Sequence, residues 1–348
     1  MKHKGLLLVG LLCLISLIFL TACQKQEQEF EKSFLAMDTL ISVSVLSNDE
    51  ALAEEALTAV ENKYMEIDVL TDRFATGEDA QKSDICCINE AAGKNAVTVA
   101  PEVWEMISLS LDWNQKTDGA FNIALGPLMD LWGFGDNPTA PPTQSAIEQV
   151  LPLCNIDDVV TDQSNCSVYL KKRGMSLDLG GIAKGYATDK VIEVLKSYGI
   201  QNALINAGGN VYALGARASG DPWKVGVRNP RRSVDIIAKM DLSDLAVVTS
   251  ADDQRYFIDD GKRYHHIMDP KTGYPANGHM SDTVVSASST LADILSTSLF
   301  VMPQDKALAL LQQISDVQGV LFVEPDGTIK ITGDLEAFTE LTGSKIVD

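Results

Sequence analysis

The chain has 348 residues, enough for one large domain or two ordinary ones, and 45% of them are hydrophobic, which is ample for a sizeable core. Lysine and arginine number 28 against 48 aspartates and glutamates, a formal net charge of −20. So acidic a surface argues against nucleic acid or anionic lipid as the partner, and says little about fold.

The first residues stand apart from the rest. Lys2 and Lys4 precede an apolar run from Leu6 to Leu20, and Leu20-Thr21-Ala22-Cys23 follows. A positive start, a short apolar run and small residues before a cut predict a secretory signal peptide over residues 1–22. The run is short for a membrane span, which weighs against an uncleaved anchor. Leu-Thr-Ala-Cys resembles the bacterial lipobox, so Cys23 is expected to be lipidated and to become the mature N-terminus. The folded body is then expected at the cell membrane, lipid-anchored on the extracytoplasmic face. Residues 23–33 are polar and charged and read as a flexible tether, with the folded domain over 34–348. Of the remaining cysteines, Cys86, Cys87, Cys154 and Cys166 show no C-x-x-C or His/Cys spacing that would hold zinc. Buried thiols are expected there, with a Cys154–Cys166 disulfide as the alternative in an oxidising compartment.

The domain opens with Ala36-Met37-Asp38-Thr39 and then a half-buried strand, in which Ile41, Val43 and Val45 alternate with Ser42 and Ser44. Leu52, Leu57, Val60, Tyr64 and Ile67 recur at helical spacing. A polar stretch holding Arg73-Phe74 follows, and Pro101 starts a further helix that carries Val103, Ile107 and Leu111. Thr117 to Gly135 contains four glycines with Phe121, Trp132 and Phe134 among them. That composition predicts a loop that packs on a ligand or wraps the core. A short helix is predicted from Thr143 to Leu151.

The segment Ser176 to Asp189, SLDLGGIAKGYATD, has a strand-like start at Leu177 and Leu179, then Gly180-Gly181, then a helical pattern that Gly199 stops. A glycine turn at a helix N-terminus offers free N–H groups and a positive dipole end to an anion such as phosphate. Lys184 in the first turn opposes the dipole, and a bound anion would explain it. A tight turn with a solvated lysine accounts for the same residues equally well.

Strands are predicted at Ala203 to Ile205, Trp223 to Val227 and Leu245 to Thr249. The first runs into Asn206-Ala207-Gly208-Gly209, which implies close backbone approach. Arg255 to Ile258 and Arg263 to Ile267 form a hairpin across an Asp-Gly turn, delivering His265 and His266 to the loop Met268 to Pro275. Neighbouring residues of a strand face opposite ways, so only one of the two histidines can enter a site. Ser289 to Met302 reads as a helix with Asp293 and Thr297 on one face, two oxygen ligands suited to magnesium. A solvated pair is the plainer account of two such residues taken alone. Val320 to Val323 and Ile329 to Ile331 close the domain as a hairpin. The whole reads as one α+β domain, which two interleaved lobes could make up.

SLDLGGIAKGYATD, NAGGN, VVTSADDQRYF, HHIMDPKTGYP and LADILSTSLF, in this order, resemble the ApbE family of FAD:protein FMN transferases. The resemblance implies a single domain of mixed, mostly antiparallel sheets with packed helices. It also implies transfer of FMN from FAD to a threonine or serine hydroxyl of an acceptor protein, with magnesium bound and AMP released. Carried over residue by residue, Asp293, Thr297 and the carbonyl of Gly181 are the implied magnesium ligands. Met37, Phe74, Ala120, Phe121, Asn122, Lys184, Ile267 and Thr272 are the implied FAD contacts. His266 is the implied catalytic histidine, with Asp269 to orient it, and its intrinsic pKa of about 6.5 suits a general base. Phe74 fits a ring stacked on FAD and a core residue about equally. The sequence departs from the family at Asp38 and Ala251, usually glycines, and at Asn122 and Asn210, which are often acidic. Two other functions suit the same motifs: an FAD pyrophosphatase giving FMN and AMP, and a lipid-anchored flavin-binding protein without chemistry.

Overall fold

A computed structural model of the chain describes residues 27–134, 138–343 and 346. The expected signal peptide, Cys23 and Gly135 lie outside the described residues. In chain order the elements are β1 (Gln28–Ala36), β2 (Thr39–Ser47), α1 (Glu50–Thr71), α2 (Asp84–Glu90), β3 (Val97–Thr98) and α3 (Pro101–Lys116). Next come α4 (Gly126–Trp132), α5 (Gln144–Val150), β4 (Val159–Asp162), β5 (Ser167–Leu170) and α6 (Ala183–Ser197). Then follow β6 (Ala203–Ala207), β7 (Asn210–Leu214), β8 (Trp223–Asn229), β9 (Arg232–Leu242), β10 (Leu245–Ala251), β11 (Tyr256–Asp259) and β12 (Lys262–His265). The chain ends with β13 (Ser281–Ser286), α7 (Ser289–Val301), α8 (Gln304–Leu311), β14 (Val317–Val323), β15 (Ile329–Ile331) and β16 (Thr339–Leu341).

Eight strands make the central sheet in the order β1-β2-β6-β7-β10-β13-β14-β15, and every pairing in it is antiparallel. Its strands come from both ends of the described chain, and the helical segment between β2 and β6 folds back over one face. On that face Ile41, Val43, Val45, Ile205, Val248 and Val284 are buried against α1, α6 and α7. The other face packs Val247, Val285, Leu321 and Val323 onto Trp223, Val225, Val227 and Met240 of the three-stranded sheet β16-β9-β8. Each fully buried Val, Ile or Leu stabilises this arrangement by about 1.5–3 kcal/mol. A smaller cluster gathers Leu128, Trp132, Ile147 and Met268 with Phe257, Tyr264 and Tyr274. It ties α4 and α5 to the β11–β12 hairpin and to the loop that follows.

The α+β class and the antiparallel sheets expected from the sequence are observed. Three local readings change. The segment read as a tether enters the central sheet at Gln28, because β1 pairs with β2 along its whole length. The glycine-rich stretch after Thr117 contains the helix α4, whose glycines stand at its ends: Gly126 opens it, and Gly133, at φ 64°, stops it. Leu177 and Leu179 are buried but belong to no strand. The backbone of Leu177 exchanges hydrogen bonds with the side chain of Asn89, and Asp178 N–H donates to the Ile123 carbonyl. All four cysteines among the described residues are free thiols, so Cys154 and Cys166 form no disulfide.

Candidate active site

The site begins where α6 crosses α7. At Gly185 an added Cβ would lie 2.4 Å from the Ser289 carbonyl oxygen and 2.7 Å from Asp293 Cβ, so only glycine permits this approach. The Gly185 N–H then donates 2.8 Å to Asp293 Oδ2. One turn earlier, a Cβ on Gly181 would sit 3.5 Å from Thr297 Oγ1 and 3.2 Å from the Phe121 ring. The backbone of Gly181 therefore passes beside the hydroxyl of Thr297, and the three implied magnesium ligands are neighbours.

Helix α7 is held in place by Asp189 of α6. Its carboxylate accepts from Ser288 Oγ, from the N–H groups of Ser289 and Thr290, and from Thr290 Oγ1, at 2.6–2.9 Å. Asp293 is buried, which pushes its carboxyl up from the usual range, while the charge of Lys184 and the Gly185 N–H pull it down. Lys184 Nζ folds back to donate 3.1 Å to the Gly180 carbonyl. One buried carboxylate, one hydroxyl and one backbone segment form a small, hard, all-oxygen donor set. That set fits magnesium, which takes few protein ligands and completes its shell with phosphate and water. Among the described residues no three His, Cys, Asp or Glu side chains cluster as a softer metal would need.

The histidine pair divides as strand geometry demands. Asp260 and Gly261, at φ 47° and 74°, make the tight turn of the β11–β12 hairpin. His265 turns inward: its Nε2 donates to the Ala276 carbonyl at 2.7 Å and its Nδ1 accepts from Ile267 N–H. His266 turns to the other side, with its backbone N–H on the Arg255 carbonyl and its Nδ1 shielded from solvent without a hydrogen-bond partner among the described residues. Burial, with the charges of Arg255 and Lys184 nearby, holds the imidazole down at about 3, far below its ordinary 6.5. His266 is therefore neutral in the free protein.

Among the described residues Asp269 makes no hydrogen bond to His266. One Asp269 oxygen accepts from Lys271 N–H at 2.8 Å and the other from Thr272 Oγ1 at 3.1 Å, while its backbone closes the turn to Gly273 and Tyr274. Asp269 and Thr272 thus shape the loop that carries His266 into place. Trp132 fastens this loop from outside, donating its indole N–H to the Gly273 carbonyl at 2.9 Å.

The implied flavin contacts separate into available and committed groups. Phe74 is 64% exposed, with the guanidinium of Arg73 4.7 Å from its ring centre, so it is not a core residue. Arg73 reaches Asp178 at 3.6 Å, and Asp178 bonds the N–H of Gly180, which sets Phe74 near the glycine turn. Ala120 and Phe121 are buried, with the Phe121 ring edge against Gly181. Asn122 is committed elsewhere: it donates to the Cys154 carbonyl and accepts from Ala124 N–H. Ile267 is buried with Ala276 and Phe300. Met37 lies half-buried in the β1–β2 turn, at φ 53°, and Asp38 follows at φ 57°. A left-handed backbone at residue 38 explains why glycine suits that position, and aspartate is among the few residues that tolerate it. Asp38 is 3.7 Å from Arg255, which brings this turn toward His266. Ala251 has no such strain, since it lies in β10 paired with Ser281. Asn210 is buried and accepts from Ser289 Oγ, securing the start of α7.

Asp189, Asn89 and Asn114 shape the site in roles the sequence did not assign, although Asp189 closes the motif that starts at Ser176. Each is a polar residue inside or beside a helix whose partner was fixed only by folding. Asn114, for example, donates to the Phe121 carbonyl at 2.7 Å and so holds the segment below Gly181.

The ApbE family model matches residues 37–322, a span that contains every residue placed in the candidate site. The chain belongs to the ApbE family. It is 35% identical over 322 residues to the FAD:protein FMN transferase of Klebsiella pneumoniae (strain 342), covering 92% of this chain and 97% of that one. It is 32% identical over 345 residues to the Treponema pallidum (strain Nichols) protein of the same name, covering 93% and 92%. Among solved structures, the ApbE protein from Thermotoga maritima superposes with a TM-score of 0.81 at 34% identity, over 89% of this chain and 99% of that one. The flavin transferase ApbE from Vibrio cholerae gives 0.78 at 26% identity, over 90% and 99%.

Proposed function

We propose that this ApbE-family chain is an enzyme that moves FMN from FAD onto a threonine or serine hydroxyl of an extracytoplasmic acceptor protein, releasing AMP with magnesium bound. Relatives that cover nearly the whole chain are named for FAD:protein FMN transfer. The observation that carries the reading is the meeting of Gly181, Lys184, Asp293 and Thr297, with His266 close enough to feel the charge of Lys184. A diphosphate needs such a combination of hard-cation ligands, a lysine and glycine N–H groups.

Asp293, Thr297 and the Gly181 carbonyl would hold magnesium, which offsets negative charge building on the diphosphate oxygens. Lys184 adds a positive charge on the same side. Phe74 presents an exposed ring for stacking on the flavin or adenine. The acceptor oxygen attacks the phosphorus of the FMN half, forming the phosphoester bond, and the phosphorus–oxygen bond to AMP breaks. His266 takes the proton of the attacking hydroxyl. Its neutral state in the free protein leaves it ready to accept, and the negative diphosphate beside it raises its proton affinity towards the range a base needs. Asp269, Thr272 and Trp132 act by fixing the loop that aims it. Lipidation at Cys23 would tether the enzyme to the outer face of the cell membrane, within reach of a membrane-bound acceptor.

The test is incubation of the protein with FAD, magnesium and a candidate acceptor domain, read on a denaturing gel. A covalently fluorescent acceptor band is expected. Free FMN and AMP alone would identify a pyrophosphatase, and intact FAD would identify a binding protein.

A further inference from the structure

Two hydroxyl groups behind the proposed metal ligands form, with the hydroxyl of Thr297, a chain with a fixed direction. Ser296 Oγ donates 3.0 Å to the backbone carbonyl of Asp293 in the same helix. With that proton committed, Ser296 Oγ acts as acceptor towards β10, and Ser250 Oγ donates to it at 2.9 Å. Ser250 has one proton and has now spent it. Its oxygen also lies 3.5 Å from Thr297 Oγ1, at the long end for a hydrogen bond, and there Thr297 has to be the donor. The proton of Thr297 is thereby turned towards the sheet, and its free lone pairs are left on the side where Gly181 passes.

We infer that Ser250 and Ser296 are positioning residues that hold the Thr297 hydroxyl as an oxygen acceptor directed at the cation. The inference rests on the reading of Thr297 as a magnesium ligand and adds the device that fixes its orientation. A hydroxyl whose proton points at a cation binds it poorly. An acceptor on the far side removes that orientation at no cost to the ligand oxygen. Buried groups that orient a ligand in this way are ordinarily worth a factor of 10–100 in metal affinity. Neither serine is asked to touch substrate: Ser296 is fully buried on the sheet-facing side of α7 and Ser250 is half-buried on the sheet.

The experiment uses Mn2+ in place of magnesium, with binding to the full chain followed by electron paramagnetic resonance without nucleotide, and folding checked by thermal melting. Ser250→Ala is expected to weaken Mn2+ binding about tenfold. Ser250→Thr, which keeps the hydroxyl, is expected to retain the wild-type value. Ser296→Ala, which removes one hydroxyl within a helix, gives a second reading should Ser250→Ala fold poorly, and is expected to weaken binding in the same direction. In a Thr297→Val background, Ser250→Ala is expected to cost nothing more. Equal losses with and without Thr297 would make Ser250 merely structural and overturn the inference, as would unchanged binding in both serine variants. Undiminished Mn2+ binding by Asp293→Ala would instead remove the metal site itself.

Discussion

His266 carries the sharpest consequence at the scale of single residues. Burial, with the cations Arg255 and Lys184 nearby, holds its imidazole at about 3, so the base form is present in the free protein throughout the neutral range. The acid limb of kcat/KM, which reports free enzyme, is therefore expected well below pH 5, and no limb from His266 is expected near 6.5. A limb centred at 6.5 that His266→Ala abolishes would contradict this. Gly185 is the other decisive residue. Gly185→Ala would drive a methyl group into the Ser289 carbonyl and Asp293, forcing α6 and α7 apart. A loss of about 1–3 kcal/mol in denaturant unfolding is expected, together with at least a tenfold fall in transfer. Much of this was legible beforehand. The spacing of Asp293 and Thr297 follows from helix geometry alone, and the opposite facing of His265 and His266 follows from strand alternation. The engagement of Asp269 was not legible, because it depends on how its loop closes. The depressed pKa of His266 was not legible either, because it depends on burial and on the charges of Arg255 and Lys184, which folding brings up to it.

Among the elements, α7 and β1 show what local pattern conveys and what it omits. The helical period of α7 is plain in the sequence, yet its start is fixed by Asp189, about a hundred positions away. No local rule reveals such a cap. Asp189→Ala would leave the first N–H groups of α7 without that acceptor, and a loss of about 2 kcal/mol is expected, measurable by denaturant unfolding. Strand β1 turns Phe30, Phe34 and Ala36 inward, but Glu29, Glu31, Lys32 and Ser33 gave it the look of a tether. Register pairs Gln28 with Ser47 and Ala36 with Thr39, so the strand is paired along its whole length. A chain starting at Gln28 is therefore expected to melt like the full protein. One starting at Phe34 loses most of the strand and is expected to melt several degrees lower; equal melting temperatures would show that β1 contributes nothing to stability.

For the whole molecule, the layered core explains how such distant segments reach one point. The central sheet is covered on one face by α1, α6 and α7 and on the other by β8 and β9, so α6 and α7 stand side by side on a rigid floor. Ser250 at the end of β10, Gly181 before α6 and Thr297 in α7 converge because that floor fixes all three. The aromatic cluster around Trp132 does the same for the histidine loop. Composition foretold the large core, and alternating apolar residues foretold the strands. The meeting of the glycine turn with α7 follows from two helices packing at a residue without a side chain, which sequence spacing alone does not reveal. The central claim is that the ligands on α7 and the glycine turn together grip the diphosphate bridge and direct the FMN half to a protein hydroxyl. The most direct measurement is the intact mass of an acceptor domain after incubation with FAD, magnesium and either the wild-type chain or Asp293→Ala. One added FMN on a single threonine or serine is expected with the wild type and none with the variant, and an equal addition by both would contradict the account.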